Sequence, residues 1–275
     1  MFKSVKIYLF VLLLNMVFSD KVNCAFERTN GGARAEALGG AFTACANDYN
    51  SIFYNPAGLS ELTNNEVSFF YMIPYGIKEL GIKCFAFVLP VKIFGFGIMS
   101  QQMGTDLYRE SQLVFSAGMR IYKGLSLGIN SKLLNLRIQG YGSKSLLGVD
   151  IGMLYDVGYD LKFGAFFNNV NNPCIGKTKE KIAKICSIGI SKKLISGLTL
   201  NLDMSKYNKY PVIVRFGGEM HLKEQFQLRF GISDNPTKFS GGFGVEMKNL
   251  SFDYSASNHI ILGLTNLFSI TLKIK

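Results

Sequence analysis

The sequence predicts an all-β fold, a transmembrane antiparallel β-barrel of about 14 strands. Three observations carry that expectation. From about Glu66 to the end, apolar and polar residues alternate with a period of two in segment after segment. The connections between segments alternate between tight and longer. An apolar leader opens the chain, and no later stretch is long and apolar enough to cross a bilayer as a helix, which takes about 20 residues.

Residues 1–24 read as a cleavable secretory signal. Lys3 and Lys6 form its basic start, and the apolar run Ile7 to Phe18 is broken only by Asn15. Residues 25–65 differ from all that follows. They show no two-residue alternation, are rich in Ala and Gly from Ala33 to Ala46, and carry Asn55-Pro56, a turn signal that excludes a central strand. Such a segment sits either inside the barrel, whose lumen at this strand number is wider than its own side chains fill, or against its rim.

Residues 66–275 form the barrel itself. Strands are expected near 66–73, 79–89, 92–102, 110–121, 124–138, 145–156, 159–169, 184–193, 197–207, 212–222, 226–233, 239–247, 250–257 and 266–275. The clearest runs from Leu198 to Ser205, with every even position apolar and every odd one polar. Tight turns are expected at Lys123-Gly124, Val157-Gly158, Ser196-Gly197, Lys223-Glu224 and Lys248-Asn249. Longer connections run from Met103 to Arg109, Val170 to Ala183 and Asn258 to Thr265. Short turns at one end and longer loops at the other are the habit of outer-membrane barrels. Closure has a physical cause, since an unpaired backbone group in lipid costs several kcal/mol and a closed sheet has no edge. The apolar stripe then faces lipid and the polar stripe the lumen.

Composition narrows the function. The chain is 48% hydrophobic and 18% charged, with 23 Phe, 13 Tyr and no Trp, so any interfacial aromatic girdle is Tyr and Phe. The net charge of +11 is spread as single and paired Lys and Arg, without the long basic run of a nucleic-acid binder. Anionic lipid headgroups and lipopolysaccharide are the expected partners. No GxSxG, HExxH or P-loop motif is present, the two histidines, His221 and His259, lack ligand spacing, and neither an enzyme nor a metal or cofactor is expected. Beyond Cys24 the cysteines are Cys45, Cys84, Cys174 and Cys186. The last two flank the longest expected loop, as a disulfide or as free apolar residues.

The stretch Gly32-Ala33-Arg34-Ala35-Glu36-Ala37-Leu38-Gly39-Gly40-Ala41-Phe42, then Ala46-Asn47-Asp48, then Tyr54-Asn55-Pro56-Ala57-Gly58-Leu59, resembles the N-terminal signature of the FadL-like outer-membrane proteins. It is most similar to the branch that includes PorV and PorQ of the type IX secretion system. The segment from Phe243 through Tyr254 to Leu272 is similar as well. The resemblance implies that residues 25–65 form a hatch inside the lumen, held through Gly32, Arg34, Gly39, Gly40, Asp48, Asn55, Pro56 and Gly58. It implies a bacterial outer-membrane protein, inserted by the barrel assembly machinery, that takes up small hydrophobic molecules such as long-chain fatty acids. The alternative it implies is an accessory or scaffold role alongside secretion-system proteins. The chain departs from the pattern in being short and in ending Ile274-Lys275, where such barrels usually end in an aromatic residue.

Strand parity points Asp203, Arg215, Glu219, His221, Arg229, Glu246 and Asp253 into the lumen, because a charge on the lipid face costs about 2–4 kcal/mol at the midplane. Asp203, Arg215, Glu219, Arg229, Glu246 and Asp253 are therefore the candidates for a polar latch on the hatch, a ligand guide, or a mutually neutralised lining. Gly95 and Gly97, inside one strand, raise a kinked wall with a lateral opening, or simply a close approach of the hatch.

Overall fold

The computed structural model describes residues 25, 26, 31–175, 180–195, 197–207, 210–223 and 225–274. The expected signal peptide, residues 1–24, lies outside them. Fourteen antiparallel strands close into one barrel: β1 (Asn65–Ile73), β2 (Ile82–Val91), β3 (Phe94–Gly104), β4 (Tyr108–Tyr122), β5 (Leu125–Ile138), β6 (Gly142–Gly158), β7 (Leu161–Asn168), then, after a small hairpin of β8 (Cys174–Ile175) and β9 (Glu180–Lys181), β10 (Ile185–Ile195), β11 (Leu198–Tyr207), β12 (Val212–Lys223), β13 (Phe226–Ser233), β14 (Lys238–Met247), β15 (Leu250–His259) and β16 (Gly263–Ile274). Each expected strand is present within a few residues of its expected bounds. Every strand pairs with its sequence neighbours, β7 pairs with β10, and β1 pairs with β16 from Asn65↔Ile274 to Ile73↔Asn266 to close the seam.

The even strand number returns β16 to the end where β1 starts. Two-residue turns at 92–93, 123–124, 159–160 and 248–249 lie at that end, the turn end. The opposite, loop end carries connections 74–81, 105–107, 139–141, 234–237 and 260–262, and the long segment 169–184. That segment, where the sequence predicts only a loop, contains the β8–β9 hairpin and buries Ile175 and Ile182. Cys45, Cys84, Cys174 and Cys186 are all free thiols, so no bond joins Cys174 to Cys186.

The alternation has its expected consequence on β13, where Phe226, Leu228, Phe230 and Ile232 are exposed and Gln227, Arg229 and Ser233 are buried inside. Apolar residues likewise coat the outside of the other strands, among them Phe85, Phe115, Ile129, Leu147 and Ile270. The polar-inside rule fails on one arc of the wall. On β1 and β2 the inward residues Phe70, Met72, Ile82, Cys84, Ala86 and Val88 are buried and apolar, and only Glu66 and Ser68, inward near the turn end of β1, keep the polar habit.

Candidate functional site

The reason lies inside the barrel. The segment 31–64, which we call the hatch, fills the interior with two short α-helices, α1 (Ala33–Ala37) and α2 (Ser51–Tyr54), and a 3-10 helix at Pro56–Glu61. Its apolar side chains Tyr49, Ile52, Phe53 and Leu59 pack on Phe70, Met72, Ile82, Cys84, Val88, Met99 and Val114 of β1–β4 as one continuous core. The inner wall of that arc is apolar because it faces the greasy side of the hatch and not water.

The Gly- and Ala-rich motif has a local explanation. Gly39 and Gly40 end α1 with positive φ, +67° and +79°, and their amides donate back to the Glu36 and Ala35 carbonyls. Asn55 caps the 3-10 helix, its Oδ1 accepting from the Ala57 amide at 3.2 Å. Its Nδ2 donates to the Thr43 carbonyl and, across to β6, to the Met153 carbonyl, both at 2.9 Å. Pro56 starts that helix, where its missing N–H costs nothing. Gly58 lets two hatch segments cross, since a Cβ there would lie 2.0 Å from the Ala46 oxygen. Gly32 is as tightly enclosed, with the Tyr49 hydroxyl where its Cβ would stand.

The wall is shaped to match. Gly95, Gly118, Gly128 and Gly152 are directly paired across β3, β4, β5 and β6. A Cβ on them would come within 2.0, 2.5, 2.2 and 2.2 Å of Leu59 O, Pro56 O, Ala57 N and Asn55 Oδ1. Across the lumen, Gly217 and Gly231 do the same for Leu38 and Gly39, at 2.5 and 2.2 Å. These glycines form a mould for the hatch backbone. The sequence reading missed them as a set, although mid-strand glycines in four successive strands were visible. Gly95 and Gly97 belong to this mould and match the close approach of the hatch, the alternative to a lateral opening. The ladders on both sides of β3 run unbroken from Phe94 to Met103, and a Cβ on Gly97 would meet Ile52 at 3.0 Å.

The opposite arc holds the hatch by charge. Arg34 donates two hydrogen bonds to Glu219, each 2.8 Å, and one to Asp48 at 2.9 Å. Glu219 also accepts from Arg229 at 2.7 Å, and Arg229 donates to Asp253 at 2.6 Å. Asp203 accepts the backbone amides of Phe42 and Thr43 at 3.0 and 2.9 Å. Arg215 donates to Ser205 and Tyr207 while its stem lies 3.3 Å from where a Gly40 Cβ would stand. Lys238 pairs with Glu36 near the loop end. Of the parity candidates, Asp203 and Glu219 bond the hatch directly, and Arg215 packs against it. Arg229 and Asp253 hold Glu219 and one another, and Glu246 pairs with Lys273 at the turn end, away from the hatch. His221 is exposed and lines the turn-end vestibule. His259 is buried and accepts the Ile261 and Leu262 amides, closing the loop after β15.

The hatch divides the lumen unequally. A polar vestibule of about 1030 Å³ opens at the turn end, lined by Arg34, Asp48, Glu219, Arg229 and Lys273 among others. On the loop side a cavity of about 100 Å³ lies between Tyr54, Phe53, Phe166, Ile185, the Glu36–Lys238 pair and Arg215. Burial lifts the Cys45 thiol well above its ordinary pKa, against the opposing pull of Arg34, so this vestibule-lining cysteine is a poor nucleophile. No group of three or more His, Cys, Asp or Glu able to hold a metal occurs among the described residues.

Comparison with known proteins supports the fold and adds a family. No curated protein matches the sequence. Among solved structures, the Ralstonia pickettii toluene transporter TbuX is similar with a TM-score of 0.71 at 14% identity, covering 91% of this chain and 100% of that one. The CymD monoaromatic hydrocarbon channel gives 0.67 at 14%, covering 91% and 99%. A Pseudomonas aeruginosa FadL homologue gives 0.61 at 13%, covering 94% and 99%. At such identities the likeness is one of fold, and the fold is that of the FadL-like outer-membrane barrels. The model of the uncharacterised protein family UPF0164 matches residues 21–194, more than half of the sequence, and the chain belongs to that family.

Proposed function

We propose that this protein is an outer-membrane channel for small hydrophobic molecules, held closed by its hatch. The observation that carries the reading is the asymmetry of the hatch contacts. Over the middle of β1–β4 the hatch meets the wall as an apolar core, and its hydrogen bonds to this arc, the Tyr49 amide to Glu66 and Arg120 to the Ser60 carbonyl, lie at the turn end. Opposite, it is tied by Arg34, Asp203 and Glu219. A seam without hydrogen bonds across its core can part for an apolar solute and reseal, whereas parting the charged side would strand buried ions. The similar barrels described as toluene transporters and monoaromatic hydrocarbon channels support a ligand of that class, and long-chain fatty acids share its apolar chemistry. The exterior apolar coat supports residence in the outer membrane, with the turn end toward the periplasm. A PorV- or PorQ-like secretion role is the less favoured reading, since most loop-end connections are three or four residues long and build no broad docking surface.

The test is uptake of radiolabelled monoaromatic hydrocarbons and fatty acids by Gram-negative cells lacking their own uptake barrel. Expression is expected to raise uptake above the empty-vector rate. Rates indistinguishable from the empty vector for both solute classes would remove the proposal.

A further inference from the structure

Arg109 and Arg137 stand directly opposite one another on β4 and β5, on the outer face near the loop end. Among the described residues, no other strand-paired position sets two Arg or Lys side chains face to face. Like charges directly opposed destabilise a sheet, so this pair needs a compensating anion. Asp106 from the neighbouring loop pairs with Arg109. Even so, the Arg109 Nε is buried without a hydrogen-bond partner, and Arg137 is exposed with no ion-pair partner among the described residues.

The pairs below the two arginines form a graded track down the outside of the same two strands. Ser111↔Asn135 comes next, then Leu113↔Leu133, Phe115↔Ser131 and Ala117↔Ile129. Beyond the arginines and Ser111↔Asn135 the pairs turn apolar, with Ser131 the one polar side chain among them. In the last two steps one large residue sits beside a small one, which leaves a shallow groove. Phe87, Leu89, Phe96 and Ile98 of β2 and β3 wall it in, around a volume of about 420 Å³. From Arg109 to Phe115 is six residues along the strand, about 20 Å at a strand rise of 3.3 Å per residue, the reach of a long acyl chain.

We infer that Arg109, Arg137 and this groove bind one phosphate-bearing lipid of the surrounding leaflet, its phosphate on the two guanidiniums and one acyl chain in the groove over Ala117 and Ser131. Guanidiniums match phosphate oxygens through forked N–H donors, and the groove supplies the apolar area. The ligand is thus an anionic amphiphile, selected over both a free anion and a neutral lipid by the pairing of charge with grease. The site is on the lipid face and separate from the hatch. It rests on the reading that the barrel lies in a bilayer.

The experiment uses the full-length barrel in dodecyl maltoside, with native mass spectrometry counting retained dipalmitoyl-phosphatidylglycerol. Dipalmitoylglycerol, which lacks the phosphate, and inorganic phosphate, which lacks the chains, are the comparison probes. One copy of the phospholipid is expected to stay bound, with neither comparison probe retained. The double variant R109Q/R137Q is expected to weaken retention on the order of tenfold or more. The single variant R137Q, on an exposed side chain, gives a smaller loss without risk to the fold, and A117F, which fills the groove, weakens the phospholipid in the R137Q background as well. Equal retention by wild type and R109Q/R137Q, equal retention of dipalmitoylglycerol, or full displacement by equimolar inorganic phosphate would each overturn the assignment. A barrel that stays monomeric and soluble with no detergent would instead remove the membrane reading beneath it.

Discussion

Arg34 is a hatch cation shared between an acid of its own segment, Asp48, and an acid of the wall, Glu219. Arg34→Gln therefore leaves Glu219 buried with only Arg229 to balance it. Losing charge-assisted hydrogen bonds of this kind costs about 1.5–3 kcal/mol each. The expected outcome is a lower thermal midpoint and, in planar bilayers, a higher ion conductance than that of the native protein. A conductance unchanged from wild type would mean that the charged arc does not hold the hatch. The wall glycines make a second residue-scale prediction. Gly128→Ala puts a Cβ 2.2 Å from the Ala57 nitrogen, a backbone atom that cannot swing away, while Gly241→Ala meets nothing closer than 3.9 Å. Gly128→Ala is expected to cut the yield of folded barrel sharply and Gly241→Ala to leave it intact, read as the fraction migrating in the compact form on unheated gels. Parity alone placed Asp203, Glu219, Arg229 and Asp253 inside, because a two-residue period needs no knowledge of neighbours. The role of Gly118 or Gly152 depends on a segment some tens of residues distant, and no local pattern carries that.

Strands were the most legible elements. Phe226–Ser233 was readable to its ends because alternation and turn residues agree there. The β8–β9 hairpin was not, since two-residue strands have no period to detect. The inner faces of β1 and β2 were misjudged for a different reason. Inward polarity holds only where the interior is wet, and those strands instead meet Ile52, Phe53 and Leu59. Where the hatch moves can be tested at this scale. Ser60 of the 3-10 helix and Ser126 of β5 touch through their hydroxyls at 2.9 Å, both buried. In a background with the native cysteines replaced, S60C/S126C is expected to form a disulfide on oxidation, to block hydrocarbon uptake, and to recover uptake on reduction. Full uptake in the oxidised form would show that solute does not need the 3-10 helix to leave the wall.

At the scale of the whole molecule, every barrel strand presents large apolar side chains outward, a contiguous exposure that monomeric soluble proteins rarely show. The protein is expected to fractionate with membranes, to require detergent for extraction, and to resist unfolding in detergent until heated. Recovery in an aqueous fraction without amphiphile would contradict this. The overall architecture was legible because lipid enforces one rule on every strand, whereas the plugged interior obeys a fit between two particular surfaces. That fit constrains descent as well as function. A mould and its casting must change together, so exchanging the N-terminal insert with that of a distant FadL-like barrel would misfit along the paired glycines of β3–β6 even where both parent proteins assemble well. Compensating substitutions between residues 31–64 and those strands are accordingly where divergence within UPF0164 should leave its correlated trace.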